Sequence, residues 1–197
     1  DLPSSLYLFS AELKAFENIG TFRKVSRSLS AVGISEEWLL QLGCLKSIAV
    51  DLLFTNLDTL KWSEDPKPLV EYLRTATLTK KDIHMLKSSK YLPAENDKTR
   101  SFAPSELFLP DPELKLFPFL RILQWPAEDL LPAEEKFLLL LGMHKFPALE
   151  TILSYTSEKV KDNDERIRIL NALSKRMGVG GGYHQEWARL MPSRKAD

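Results

Sequence analysis

The sequence predicts a mainly α fold, a multi-helical domain with a small winged-helix-like α+β element and a proline-rich irregular segment. Three observations carry this. Apolar residues recur every three or four positions through the first and last thirds of the chain, the spacing of a helix with one buried face. Pro132, Glu134-Glu135 and Gly142 form a complete set of helix start and stop signals. Prolines 104, 110, 112, 118, 126 and 132 stand too close together for long helices, because each interior proline removes a donor and clashes with the turn before it.

Taken in order, Ser4 or Ser5 begins a predicted helix through about Ile19, with Leu6, Phe9, Leu13 and Phe16 on its apolar side. Phe22, Val25 and Leu29 mark a second, stopped near Gly33. Ser35 caps a third, whose first-turn Glu36 and Glu37 complement the helix dipole. After Gly43, the wide stripe Leu45, Ile48, Ala49, Leu52, Leu53 and Leu57 predicts a central helix. Lys61 to Pro66 is a boundary, and Pro68 suits the first position of the next helix. Thr79 opens another, with Asp82 placed to close a capping box. Tyr91-Leu92-Pro93-Ala94 and Ser101-Phe102-Ala103 read as short strands around a polar loop, Glu95 to Arg100. Short turns and extended pieces carrying Leu107, Phe108, Leu114, Phe117, Phe119, Ile122 and Trp125 follow and pack over the helices. Pro147 then starts a helix with Leu149, Ile152 and Leu153 buried, and Asp162 or Asn163 caps one that ends near Met177. The tract Gly178 to Gly182 is expected to be mobile. The division predicted is a helical subdomain at 1–62, a helix-turn-helix or winged-helix-like unit with the proline-rich segment at 63–126, and a helical subdomain with a flexible tail at 127–197. No internal repeat of fixed period is evident.

Composition narrows the function. The chain has 197 residues, of which 44% are hydrophobic and 27% charged, so it is long and apolar enough to fold around a core. Twenty-seven Lys and Arg balance 27 Asp and Glu, which excludes a globally basic nucleic-acid binder and a strongly acidic mimic. A single cysteine, Cys44, makes no intramolecular disulfide, in keeping with an intracellular site, cytoplasmic or nuclear. The longest apolar run, Phe137 to Leu141, falls far below the roughly 20 residues that span a bilayer. The start at Asp1, without an initiator methionine or a positively charged leader, points to an excised or processed piece.

Candidate chemistry is sparse. Cys44 lies among apolar neighbours with no histidine nearby in sequence, as a small buried thiol does. The glycine tract follows a helix and lacks a Gly-Lys-Ser/Thr ending, so it is no phosphate loop. His84, His144 and His184 lack metal-ligand spacing. Asp162-Asn163-Asp164-Glu165 begins like a calcium loop, but Arg166 and Ile167 stand where a ligand and a glycine belong. Glu36-Glu37 and Glu134-Glu135 are adjacent and so point about 100° apart on a helix, which rules out a facing acid/base couple. No Gly-x-Ser-x-Gly elbow occurs. Catalytic, cofactor and metal residues are therefore predicted as none.

The sharpest local signal is basic. Lys80, Lys81, Lys87, Lys90, Lys98 and Arg100 outnumber Asp82, Glu95 and Asp97 across the helix-turn-helix and its wing. On a winged helix such side chains neutralise phosphates. The alternative is a solvated lysine face, since no arginine-asparagine set for reading bases accompanies them. The stretch Glu106 to Glu135 is acidic by contrast, which argues for contacts between domains or proteins.

Several phrases carry a family resemblance. Lys61-Trp62-Ser63, Leu92-Pro93-Ala94-Glu95, Ala103-Pro104-Ser105-Glu106-Leu107, Pro110-Asp111-Pro112-Glu113-Leu114 and Leu141-Gly142-Met143-His144-Lys145-Phe146-Pro147 resemble an uncharacterised domain of large fungal proteins. In those proteins it follows a GHKL/Hsp90-type ATPase module, and it is distantly similar to sacsin-type chaperone repeats around Ala103 to Leu114. The likeness runs from about Trp38 to Leu173. It implies a fungal, intracellular, multidomain, chaperone-like parent and assigns no nucleotide-binding residue here. The expected role is a non-enzymatic protein-interaction or scaffold module that binds a protein partner or other domains of its parent. The alternative is nucleic-acid binding through residues 67–100.

Overall fold

A computed structural model of the chain describes residues 6–8, 13, 16, 23–25, 32–56, 65–125, 130–177 and 182–190. It is mainly α. The described elements are β1 (Leu6–Tyr7), β2 (Arg23–Lys24), α1 (Glu36–Gln41), α2 (Val50–Thr55), α3 (Lys67–Thr75), α4 (Lys80–Ser88), β3 (Leu92–Ala94), β4 (Asp97–Phe102), α5 (Pro132–Leu140), α6 (Leu149–Glu158), α7 (Asn163–Met177) and α8 (His184–Leu190). Two 3-10 turns, Pro104–Glu106 and Pro112–Leu116, lie between β4 and α5.

The helix boundaries follow local chemistry where the signals are strong. The Ser35 hydroxyl accepts from the Trp38 N–H at 3.2 Å and starts α1. Thr79 and Asp82 form the expected capping box on α4, with the Thr79 N–H donating to Asp82 at 2.8 Å and the Asp82 N–H to Thr79 at 3.2 Å. At the start of α5, the buried Glu134 carboxylate accepts from the Leu131 N–H at 2.9 Å.

The N-terminal expectations fail in an informative way. Leu6 and Tyr7 form a strand rather than a helix, paired in parallel with Arg23 and Lys24, where a second helix was expected. The predicted central helix begins only at Val50, because Leu45 is taken by a bridge to Tyr7. Asp97 to Arg100, expected as loop, are part of β4, which pairs antiparallel with β3. α6 starts at Leu149, two residues beyond Pro147. On α7 the buried residues are Ile169 and Leu173, while Ile167 and Leu170 face solvent. The expected features at Lys61-Trp62-Ser63 and Gly178 to Gly181 lie outside the described residues.

The larger correction concerns repetition. The described residues within 6–55 and 107–154 follow the same plan. Tyr7 bridges in parallel to Leu45 as Phe108 does to His144. The Leu45 N–H donates to Leu6 at 2.8 Å and Leu8 to Leu45 at 2.8 Å. Their counterparts run from His144 to Leu107 at 3.0 Å and from Leu109 to His144 at 2.9 Å. Val25 donates to Tyr7 as Leu123 donates to Phe108, both at 2.9 Å. Each unit continues through a helix (α1 or α5), a glycine at φ +92° (Gly43) or +99° (Gly142), and a second helix (α2 or α6). Each carries a matching ion pair, Lys46–Glu36 at 3.2 Å and Lys145–Glu135 at 2.6 Å. Few identities survive beyond Leu-Gly-x-x-Lys and Glu-Leu-Lys, and the spacing between the copies drifts along the chain, which hides the duplication from a search for a fixed period.

Two main cores follow from this arrangement. One packs Leu13, Phe16, Val50, Leu53, Leu69 and Leu73 with Leu86, Leu92, Phe102 and the near side of α5. It therefore draws on the stretches 1–62, 63–126 and 127–197 together. The other repeats the theme with Leu114, Phe117, Leu149, Ile152, Ile169 and Leu173. A third, small cluster holds Leu8, Val25, Leu39 and Cys44.

Candidate functional site

The hairpin of β3 and β4 is built into the body of the protein. The Gln124 N–H donates to Pro93 at 3.0 Å and the Glu95 N–H to Ile122 at 2.8 Å, so β3 lies between β4 and the strand-like stretch 122–124. All three β3 residues are buried. α4 therefore turns its Leu86 side inward and leaves its polar side to solvent.

That polar side carries the predicted basic residues. Lys80, Lys81 and Lys87 are exposed on α4, Lys90 on the loop after it, and Lys98 and Arg100 on β4. Lys80, His84 and Lys87 share one helical face. Two of the six are engaged locally. Lys90 reaches Glu106 at 3.4 Å, and Arg100 reaches Asp97 at 3.2 Å while lying 5.0 Å from the Phe102 ring centroid. Hydrogen bonds from Thr79 hold the Asp82 carboxyl below its ordinary range, and those from Thr99 do the same for Asp97.

A second polar feature joins the proline-bearing turn at Pro112–Leu116 to α7. Arg176 donates to Asp111 at 2.6 Å and to Glu113 at 2.7 Å, and its guanidinium lies 3.9 Å from the Phe146 ring centroid. Burial opposes the charge on Arg176, but the hydrogen bonds to Asp111 and Glu113 outweigh it and raise its pKa. Gly182 closes over the same ring, since a Cβ there would stand 2.9 Å from Phe146. Beside this clasp opens a cleft of about 330 Å³ lined by Leu109, Pro110, Asp111, Leu130, Glu135 and Lys145. Its charged groups face protein partners, Asp111 to Arg176 and Glu135 to Lys145.

The other residues weighed as candidates are placed as follows. Cys44 is buried in the small N-terminal cluster. His144 lies 3.0 Å through Nε2 from the Ser105 carbonyl and packs on Phe108. His84 is exposed. Asp162 caps α7 by accepting from the Asp164 N–H at 3.2 Å. Among the described residues no group of three His, Cys, Asp or Glu is placed to hold a metal ion, and no helix is long and apolar enough to cross a membrane.

Sequence reasoning missed an apolar face. Trp38 on α1 and Leu42 at its C-terminal cap stand one turn apart and are 50% and 45% exposed, and Val32 and Leu45 are also open to solvent. Their counterparts in the second unit, Phe137 and Leu141, are 8% and 1% exposed. The available signal was the match of Trp38-Leu39-Leu40 and Leu42-Gly43 to Phe137-Leu138-Leu139 and Leu141-Gly142.

The fold and these surfaces define a mainly α protein made of two like units with a helix–hairpin insert between them. The chain belongs to a family described as "Protein of unknown function (DUF3684)", whose model matches residues 2–177. No curated protein and no solved structure matches it.

Proposed function

We propose that the chain is a non-enzymatic protein-interaction or scaffold module of a larger, chaperone-like, ATPase-containing intracellular protein. The observation that carries this reading is the solvent-facing pair Trp38 and Leu42. Large apolar side chains gathered on one surface are the mark of a contact site, and tryptophan is the residue most often dominant in such contacts. The strongest polar arrangement, Arg176 with Asp111 and Glu113, is spent on holding the protein's own turn to α7. The test is binding of the purified chain to a reduced, carboxymethylated unfolded protein and to the GHKL/Hsp90-type module of its parent. Binding to either that Trp38→Glu abolishes supports the reading, and failure to bind both removes it.

A second reading is nucleic-acid binding, with α4 as the reading helix of a winged-helix-like element and β3–β4 as its wing. It is favoured by the exposure of all six basic side chains on α4, the loop after it and β4. Titration of labelled duplex DNA across a salt series tests it. Affinity that falls with salt and is lost in the Lys80→Glu, Lys81→Glu double variant supports it, and binding indifferent to that variant rejects it.

A further inference from the structure

The two units share their fold but not their surroundings. In the second unit, the side of α5 that carries Phe137 and Leu141 lies against the core formed with α3, α4 and the β3–β4 hairpin. In the first unit, the matching side of α1 carries Trp38 and Leu42 and faces solvent. The difference is specific to that side. Leu40 and Leu139, which match on the outer face, are 37% and 38% exposed. Apolar residues thus stand at both members of each pair, while the insert covers this side only in the second unit and meets the first unit through Phe16, Ile48 and Phe54 instead.

We infer that the Trp38–Leu42 face is a docking surface for a second helix–helix–hairpin unit built like residues 67–102. This rests on the interaction-module reading and names its partner class. The argument is one of matched interfaces. The protein already shows which structure seats on this side of the unit: α3 packs on α5, and Leu69, Val70 and Leu73 of α3 share one apolar core with Phe137 and Leu141. Small repeat units that cannot bury both faces alone are stabilised by stacking on their neighbours. Trp38 is large enough to supply most of the contact energy of such a seat. A copy of this whole chain is the weaker occupant, because its own helix–hairpin is already seated on its second unit.

The natural junction fixes the geometry of the test. Glu106 runs directly into Leu107, whose counterpart in the first unit is Leu6. A chain in which a second copy of residues 65–106 replaces residues 1–5 places the missing cover in cis at high effective concentration. Acrylamide quenching of Trp38, read as the difference between the chain and its Trp38→Phe variant, should fall several-fold. Leu42→Glu, nearly silent in the natural chain, should lower the melting temperature of the extended one by several degrees. Leu69→Glu and Leu73→Glu in the added copy alone should reverse both effects. Unchanged quenching with a silent Leu42→Glu would overturn the inference, even if α1 still binds an unfolded client. So would a concentration-dependent dimer of the natural chain that already shields Trp38.

Discussion

Trp38 and Phe137 occupy the same position in two copies of one unit, yet Trp38 is 50% exposed and Phe137 is 8% exposed. The same local sequence pattern therefore has opposite energetic weight in the two copies. Phe137→Ala should cost about 3–5 kcal/mol, the range for emptying a core aromatic site. Trp38→Ala should cost under about 1 kcal/mol in the isolated chain, as a surface change does. Chemical denaturation of the two variants checks this, and equal costs would refute the asymmetry.

Gly43 and Gly142 predict a matched pair of effects. Both adopt left-handed backbone, at φ +92° and +99°, where a Cβ is strained. A Cβ on Gly142 would lie 4.0 Å from Ser105, so conformational strain rather than a clash sets its cost. Gly142→Ala should lose about 1–2 kcal/mol, and Gly43→Ala a similar amount. Melting temperatures of the two variants measure it.

Arg176 joins Asp111, Glu113 and the Phe146 ring. Arg176→Met leaves two carboxylates facing each other without a cation and should cost about 2–4 kcal/mol. Arg176→Lys should recover only part of this, because an ammonium cannot serve both carboxylates as a planar fork and stack on the ring. Adding Asp111→Asn and Glu113→Gln to Arg176→Met should restore stability relative to Arg176→Met alone. Urea midpoints of the three forms test this.

Tyr91 contributes to the alkaline limb of stability together with Tyr183, whose pKa burial also pushes well above the usual tyrosine range. The Tyr91 hydroxyl is buried without a hydrogen-bond partner among the described residues, and burial pushes its pKa well above the usual tyrosine range. The folded chain thus keeps the proton that the unfolded chain releases above about pH 10. Stability is unaffected below that pH and falls above it, by about 1.4 kcal/mol per pH unit for this group. Tyr91→Phe should be neutral or stabilising at pH 7 and should flatten the fall above pH 10. Unfolding monitored from pH 8 to 11 reads both effects.

Local signals located the elements they govern. Ser35, the Thr79–Asp82 box and the Pro132-to-Gly142 signature mark real helix ends, because each acts through bonds to its own first or last turn. The apolar spacing around Leu6 and around Val25 misled, because it is compatible with a helix until Leu6-Tyr7 and Arg23-Lys24 pair as strands. Leu45 shows the same effect, drawn out of a predicted helix by Tyr7. The basic set on α4 and β4 was visible in the sequence as composition, and its exposure follows from which side of α4 faces the core. The apolar face at Trp38 and Leu42 follows only from what covers the matching residues Phe137 and Leu141, which the local sequence does not state.

By itself the sequence determined the mainly α character, the capped helices, the buried Cys44 and the basic bias of residues 80–100. Only the tertiary structure decided that the described parts of 6–55 and 107–154 follow one design, and that Phe137 and Leu141 are covered while Trp38 and Leu42 are not. Caps and glycine turns act over one helical turn, so they are written locally. Strand pairing and burial depend on what another part of the chain places alongside, and no local pattern holds that information.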